Sequence, residues 1–346
     1  MSTGGGETLM LAETREAPAA TARAISANAA ACRTLAGQLQ RKPPRFVVTC
    51  ARGSSDSAAT YAHYLIELTM GIVVASVGPS VSSIYGARLD MREALFLAVS
   101  QSGRSPDLLA LTQAARRDGA LTVAIVNDET SPLAAAAEVV LGVKAGPERS
   151  VAATKSYLAS LATILQLVAT WRGDEALLDT VARLPDVLER AAAANWEAAL
   201  SLFAGASNLY VVGRGVGYAA ALEAALKCKE TSGLHAEAIS AAEVMHGPLA
   251  LAGPDFPVFA IGQEDAALPA LRQLVAAALA QGAPVVTAAP GSGWPGLALP
   301  VAAGLHPFVQ PIATIQSFYG LIDRVARARG RNPDRPQHLR KVTETV

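Results

Sequence analysis

The sequence is poor in charge and in aromatic side chains, and these shortages exclude some classes of partner. Charged residues make up 17% and aromatic residues 5% of the 346 residues, and 29 basic side chains balance 29 acidic ones. A chain without excess positive charge has no overall field that attracts nucleic acid or an anionic membrane surface. We therefore expect neither partner, and any anionic ligand must be held by a local site.

Cysteine is also scarce. The three cysteines, Cys32, Cys50 and Cys228, are odd in number and far apart, without a CxxC pair or zinc spacing. They fit a reducing cytoplasm, and we expect no metal. The N-terminus lacks a cationic start before an apolar run, and the apolar helical stretch 157–171 is shorter than the roughly 20 residues that cross a bilayer. These absences predict a soluble, cytoplasmic protein.

Hydrophobic residues are abundant, at 51% of the chain, and they fall in short runs that alternate with helical patterns. Apolar runs separated by helices are typical of a parallel sheet covered on both faces, so the predicted fold class is α/β. The predicted strands are FVVTCA, IVVASV, ALFLAV, LTVAIV and AEVVLGV, and the predicted helices cover about 17–40, 57–70, a short segment near Ser82, and 106–117.

The strand-and-helix pattern returns after the mostly helical stretch 151–204, which suggests a duplication. When the chain is aligned with itself so that Arg52 lies over Arg214, Gly53 falls on Gly215 and LAVSQSG falls on FAIGQED. Moving this alignment by a single position places DGALTVAIV over QGAPVVTAA. Three matches in the same order predict two α/β halves with one ancestor.

The predicted organisation follows from this duplication. Each half is expected to be a three-layer αβα subdomain with a parallel sheet. The predicted segments are an N-terminal arm and helix at 1–42, a first subdomain at 43–190, a second subdomain at 191–330, and a C-terminal tail at 331–346.

Two predicted strands of the first half end in serine-rich turns, RGSSDS and SQSGRSPD, just before a helix. Such a turn presents unpaired backbone N–H groups and the positive end of a helix dipole, and hydroxyls add uncharged donors. Any one serine could instead be a helix cap, but two such turns at one sheet edge favour a ligand. The predicted phosphate-binding residues are Gly53, Ser54, Ser55, Ser100, Gln101, Ser102, Gly103 and Ser105.

The second half provides an internal control. Glu264 and Asp265 occupy the positions of Ser102 and Gly103, and their charge would repel a phosphate. We therefore expect only the first copy to bind phosphate.

Four segments carry a family resemblance: CARGSSDSA, SQSGRSPD, SVAATKSY and GRGVGYAAALEAALKCKETSGLHAEAISAAEVMHGPL. They resemble the sugar isomerase (SIS) domain pair of glucosamine-6-phosphate synthase and of stand-alone amino-sugar-phosphate deaminases. The resemblance covers nearly the whole chain and ends with RPQHLRKVT. It implies that the phosphate loop falls on Ser100, Gln101, Ser102 and Ser105, with Ser55 and the backbone near Val151 completing the sugar pocket.

The resemblance also implies catalytic roles for Lys227 and Glu230, ring opening by His246, and a tail lysine at Lys341. It implies a homodimer in which His246 reaches the neighbouring subunit's site, and neither a metal nor an organic cofactor. From the residues alone, Lys227 and Glu230 share a helix face, where a solvated pair is the ordinary alternative. A lone histidine is more often a capping residue, and a lysine in a polar tail is more often a solvated charge.

One departure from the synthase pattern bears on the reaction. The synthase begins with a glutaminase domain and its catalytic cysteine, whereas this chain begins Met1–Ser2 and enters the sugar domains almost at once. We therefore expect conversion of glucosamine 6-phosphate and water to fructose 6-phosphate and ammonia, without glutamine. The alternatives are a galactosamine-6-phosphate or fructosamine-phosphate deaminase or isomerase, and a non-catalytic phosphosugar-binding regulator, although no DNA-binding extension is visible.

Overall fold

The computed structural model describes residues 6–341, which form two compact units that are discontinuous along the chain. The N-terminal unit consists of Pro18–Pro147 and Ser156–Pro185, and the C-terminal unit of 6–17, Glu148–Lys155 and Asp186–Lys341. The segment boundaries drawn from the sequence at 42, 190 and 330 stay predictions.

The helices of the described residues are α1 Leu9–Arg15, α2 Ala17–Arg41, α3 Ser54–Met70, α4 Ser80–Ser83, α5 Pro106–Arg117, α6 Pro132–Ala136, α7 Lys155–Arg172, α8 Glu175–Ala182, α9 Leu184–Ala192, α10 Leu200–Gly205, α11 Val216–Ser232, α12 Ala241–Met245, α13 Leu268–Ala280 and α14 Gln310–Ala328. The strands are β1 Phe46–Cys50, β2 Val74–Ser76, β3 Ala94–Ser100, β4 Leu121–Val126, β5 Val139–Gly142, β6 Asn208–Gly213, β7 His235–Ser240, β8 Val258–Ile261, β9 Val285–Ala288 and β10 Leu297–Ala298. No helix within 6–341 is both long and apolar enough to span a membrane.

The N-terminal unit contains a five-stranded parallel sheet in the order β2-β1-β3-β4-β5. Every residue of β3 is buried, which explains its unbroken apolar run, since helices cover both faces of such a sheet. Phe96 and Val48 of the sheet pack with Leu108 and Leu111 of α5 in one core cluster. The predicted α/β class is confirmed.

The C-terminal unit repeats this arrangement. Its five-stranded parallel sheet has the order β10-β9-β8-β6-β7, which read from the other edge is the order of the first sheet. Val212 and Ala260 of this sheet pack with Leu271 and Leu274 of α13. The same topology in both units confirms the predicted duplication.

The turns before α3 and α11 match in backbone conformation. Gly53 has φ 58° and ψ −133°, and Gly215, its counterpart in the second copy, has φ 59° and ψ −135°. Residues with a side chain rarely adopt such a positive φ, so each turn needs its glycine. Both helices have 17 residues and end at a left-handed glycine, Gly71 or Gly233.

Candidate active site

The two serine turns lie at neighbouring strand ends of the N-terminal unit. Strands β1 and β3 are adjacent and parallel, and Cys50 at the end of β1 pairs with Ala98 near the end of β3. The segments after these strands therefore meet at the carboxyl edge of the sheet, where open α/β sheets bind ligands. This places Gly53–Ser55 and Ser100–Ser105 at one edge, as the sequence predicted.

The turn after β3 is tightly organised. The Ser100 hydroxyl accepts a hydrogen bond from the Gly103 N–H at 3.0 Å, and the Gly103 carbonyl accepts one from the Leu133 N–H at 3.1 Å. Gly103 has a φ of 63°, and a Cβ there would clash with the Ser131 hydroxyl oxygen. The turn can therefore hold only glycine at this position.

The N-cap residues of α3 and α5 form no side-chain capping bond of the kind that the alternative interpretation requires. Ser105 is the N-cap residue of α5, but its hydroxyl makes no capping hydrogen bond. The N-cap residue of α3 is Gly53, which has no side chain to cap with. Neither N-cap residue thus forms a side-chain capping bond, although Asp107 Oδ1 accepts from the Leu108 N–H at 2.8 Å within the first turn of α5. The N-terminal ends of two helices beside serine hydroxyls suit the binding of an anion.

A charged pair links the two turns. Both Nε and Nη2 of Arg52, in the first turn, donate to Asp107 Oδ2, at 3.2 and 2.9 Å. Asp107 lies in the first turn of α5 and its side chain is only 1% exposed, whereas that of Arg52 is 53% exposed. Sequence reasoning did not include this pair in the site.

The equivalent turn of the C-terminal unit is filled by its own side chains. Gln263 is buried, and its amide nitrogen donates to the Arg214 carbonyl and to Asp265 Oδ2, both at 2.9 Å. Its amide oxygen occupies the space that a Cβ on Gly217 would need. The glutamine is common to both copies, since Gln263 aligns with Gln101, but the second copy has Glu264 and Asp265 where the first has Ser102 and Gly103.

The predicted pair Lys227 and Glu230 lies on α11 in the C-terminal unit. The Lys227 side chain is fully buried, and its Nζ donates to Glu230 Oε2 at 2.7 Å. The side chain of Glu230 is 25% exposed, so its carboxylate can still meet a ligand. The pair is therefore a buried cation with a partly accessible carboxylate, not a solvated surface pair.

Sequence reasoning missed a third member of this cluster. Glu223 is fully buried, lies 3.3 Å from Lys227 Nζ through Oε1, and accepts a hydrogen bond from the Tyr319 hydroxyl at 2.8 Å. Its spacing of four residues before Lys227 was the available signal. Burial lowers the pKa of Lys227, but the carboxylates of Glu223 and Glu230 outweigh burial and raise it above its ordinary value. Lys227 is therefore a fixed positive charge.

His246 lies at the C-terminal end of α12 and is exposed. Its backbone N–H donates to the Glu243 carbonyl at 3.0 Å, and the chain then turns at Gly247. Met245 and Leu251 beside it are also exposed large apolar residues. Its role in catalysis stays a prediction.

Lys341 is anchored within the C-terminal unit. Its Nζ donates to Glu148 Oε2 at 3.0 Å, and the Glu148 side chain is fully buried. The Val151 N–H donates to the Asp334 carbonyl at 3.2 Å, so the tail contacts the segment that contains Val151. Residues 342–346 of the predicted tail and 1–5 of the predicted arm lie outside the described residues.

Glu13 also orders this segment and was missed by sequence reasoning. Its carboxylate accepts hydrogen bonds from the N–H groups of Arg149 and Ser150. Glu148 Oε1 accepts from the Thr154 N–H at 3.0 Å. Two buried carboxylates thus fix the backbone on both sides of Val151.

The cysteines offer no reactive thiolate. Cys32, Cys50 and Cys228 are all buried, and burial raises the pKa of each thiol to about 12. A thiol with such a pKa is protonated near neutral pH and is a poor nucleophile. In the described part of the chain, no group of three or more His, Cys, Asp or Glu side chains is arranged to hold a metal ion.

Comparison with known proteins identifies the family. The SIS domain model matches residues 42–170 and 202–293, which together form most of the chain. The chain belongs to the SIS-domain family. Its two SIS subdomains each contain one of the parallel sheets described above.

Among the relatives of this SIS chain is the isomerizing glutamine–fructose-6-phosphate aminotransferase of Aeropyrum pernix, 35% identical over 310 residues. That match covers 84% of this chain and 49% of the relative, so the chain spans about half the length of the curated relatives it matches.

Two solved structures have the same architecture. A Silicibacter pomeroyi protein described as a phosphosugar isomerase is 41% identical, with a TM-score of 0.89 and coverage of 95% of this chain and 100% of that one. The C-terminal domain of glucosamine-fructose-6-phosphate aminotransferase from Francisella tularensis is 24% identical, with a TM-score of 0.83 and coverage of 97% and 100%. This second likeness concerns the fold alone.

Proposed function

We propose that this SIS chain is an amino-sugar-phosphate deaminase and isomerase. Its reaction converts glucosamine 6-phosphate and water to fructose 6-phosphate and ammonia. The related galactosamine and fructosamine phosphates are the alternative substrates, and a non-catalytic phosphosugar sensor is the alternative from another class.

The observation that carries the proposal is the Lys227 and Glu230 pair. Moving a carbonyl between two carbons needs a base that takes a proton from one carbon and returns it to the next. Glu230 is a partly exposed carboxylate 2.7 Å from a permanent cation. Lys227 is suited to stabilise negative charge on the enolamine oxygen while Glu230 moves the proton.

The proposed steps balance without an oxidant or cofactor. His246 moves a proton between hydroxyl and ring oxygen, which opens the sugar ring to an aldehyde at carbon 1. Glu230 removes the proton from carbon 2 and returns it to carbon 1. A proton also passes from the amino nitrogen to the carbon-1 oxygen, which leaves a hydroxyl group at carbon 1 and an imine at carbon 2. Water adds to this imine and ammonia leaves, giving the ketose phosphate.

The serine turns supply the proposed phosphate site. Their hydroxyls and the N-terminal ends of α3 and α5 lie at the carboxyl ends of β1 and β3. Neutral donors of this kind hold a doubly charged phosphate without the cost of burying several cations. The phosphate contacts then provide the binding energy that orients the sugar.

The proposed dimer can be tested by complementation. His246 is exposed on its own chain, and we propose that it acts in the site of a neighbouring subunit. If so, a mixture of inactive H246A and inactive E230Q chains should regain activity, because each mixed dimer contains one intact site. A mixture that remains inactive, although sedimentation shows mixed dimers, would contradict a shared histidine.

The tail has a test of its own. If the C-terminal tail is a lid that excludes water from the site, the bond between Lys341 and Glu148 would hold it in place. Removal of residues 335–346 should abolish turnover and leave the far-ultraviolet circular dichroism unchanged. Full activity in the truncated chain would refute the lid.

The decisive assay measures ammonia and ketose phosphate from a panel of 6-phosphorylated amino sugars, with and without glutamine. We expect release from glucosamine 6-phosphate, no effect of glutamine, and no release by E230Q. Release of ammonia from galactosamine 6-phosphate alone would show that this sugar, and not glucosamine 6-phosphate, is the substrate. Binding of the sugar phosphates without turnover would favour the sensor.

A further inference from the structure

A buried negative charge lies beside the turns that are proposed to bind phosphate. Asp107 is two residues after Ser105, in the first turn of α5, and its side chain is 1% exposed. Its Oδ1 accepts from the Leu108 N–H at 2.8 Å, and its Oδ2 is bound by Arg52. A carboxylate at this helix start competes with a phosphate for the same positive end of the helix dipole.

The other described charges on these turns do not offset Asp107. Asp56, in the first turn of α3, is a second carboxylate, and burial raises its pKa while Arg52 lowers it. Arg104 is bound to Asp128 at 2.9 Å, so that pair carries no net charge. Arg52 is therefore the cation that offsets the carboxylates at the start of α3 and α5.

We propose that Arg52 is a charge-balancing residue of the phosphate site, which neutralises Asp107 so that the serine turns can accept a doubly charged phosphate. This inference rests on the proposed function of those turns. It deepens that function by assigning a specificity role to a residue outside the serine and glycine set.

The second copy supports this assignment. In the alignment that places Arg52 over Arg214, Asp107 falls on Pro269, so the carboxylate has no equivalent. The carbonyl of Arg214 accepts the Gln263 amide instead. The ion pair thus belongs to the copy with the serine turns.

A purely structural bridge makes a different prediction. If Arg52 and Asp107 only tied the two turns together, loss of either residue would break the same contact and would weaken binding equally. If Arg52 balances charge, its loss exposes the phosphate to an unpaired carboxylate, whereas loss of the Asp107 charge does not. Removal of both charges should then restore binding.

The experiment measures binding of inorganic phosphate and of fructose 6-phosphate to the full chain by calorimetry. The variants are R52Q, D107N and the double variant R52Q/D107N. The control is R116Q, which removes one positive charge from the last turn of the same helix. Thermal unfolding of each variant reports whether the fold is retained.

We expect R52Q to weaken phosphate binding at least about tenfold, while D107N and R116Q stay within about threefold of the native chain. The double variant should recover to within about threefold. Equal losses in R52Q and D107N, or no recovery in the double variant, would overturn the proposal, as would a native chain that binds neither ligand at millimolar concentration. Binding with this pattern in a chain that releases no ammonia would uphold Arg52 and reject the deaminase.

Discussion

The helices that follow the first strand of each copy, α3 and α11, have the same length and the same terminal conformations but different side chains. α3 and α11 start after a glycine of matching conformation, have 17 residues each and end at a left-handed glycine. At the positions of Glu223, Lys227 and Glu230 on α11, the aligned residues of α3 are Tyr61, Leu65 and Leu68. The charged cluster therefore belongs to one copy only.

The turns after β3 and β8 also differ between the copies, and here the residues suited to a ligand are in the N-terminal copy. The N-terminal copy has Ser100, Ser102 and Gly103, whereas the C-terminal copy has Gly262 and the acidic pair Glu264 and Asp265 at the matching positions. One duplicated frame thus keeps neutral donors in one copy and a lysine–carboxylate cluster in the other. Because these features differ between the copies, the comparison supplies matched controls for the proposed roles of Glu230, Lys227 and Ser102.

The largest effect is expected from E230Q. Loss of the proposed proton carrier should lower kcat for ammonia release about a thousandfold, because glutamine cannot accept a proton. The matched change in the other copy is L68Q, at an exposed position that takes no part in the proposed chemistry. Steady-state kinetics should find L68Q within about twofold of the native chain. An active E230Q would remove the main support for the mechanism.

The next effect concerns stability. K227M leaves Glu223 buried without its cation, which should cost about 3–5 kcal/mol in the free energy of unfolding. The double variant E223Q/K227M should recover part of this loss. The matched change L65M on α3 should cost less than about 1.5 kcal/mol. Urea unfolding measures all three, and equal stability of K227M and the native chain would contradict a buried ion cluster.

The pH dependence of this stabilisation follows from the same cluster. The pKa of Lys227 is raised above its ordinary value of 10.5, so its contribution is fully present below that pH. The difference in unfolding free energy between the native chain and K227M should therefore be constant around neutral pH. It should decrease only as the pH rises above 10.5. A decrease at neutral pH would show that burial outweighs the two carboxylates.

A smaller effect is expected from moving one residue of the second copy into the first. S102E replaces a neutral donor with a carboxylate, which should raise KM for the sugar phosphate about a hundredfold through charge repulsion. The reverse change, E264S, lies in the filled turn and should leave KM unchanged. If E264S changed KM as much as S102E, the assignment of phosphate binding to one copy would be wrong.

Much of this comparison could be predicted from the sequence. Short apolar runs that alternate with helical patterns predicted the strands, and the helix at 106–117 has the predicted bounds. The alignment of Gly53 with Gly215 predicted the common topology, because a duplicated turn must keep its glycine. The helix after the first strand begins at Ser54 rather than near 57, since serines of a first turn resemble loop residues in a single sequence.

The contacts that organise the candidate site could not be predicted. Arg52 and Asp107 are 55 residues apart, and the bond between Glu13 and Ser150 spans 137 residues. Neither has a local spacing rule, because tertiary packing decides which buried carboxylate meets which donor. Glu223 was predictable in principle from its spacing, but only burial distinguishes it from a solvated helix residue.

The smallest effect should come from Q263A. Its amide donates two hydrogen bonds inside the filled turn, so its loss should cost about 1–2 kcal/mol in the free energy of unfolding. Q263A should still bind one phosphate per chain in calorimetry, because Glu264 and Asp265 remain and repel an anion. A second bound phosphate would mean that the Gln263 side chain alone keeps phosphate out of the second copy. The acidic pair would then not decide which copy binds the sugar phosphate.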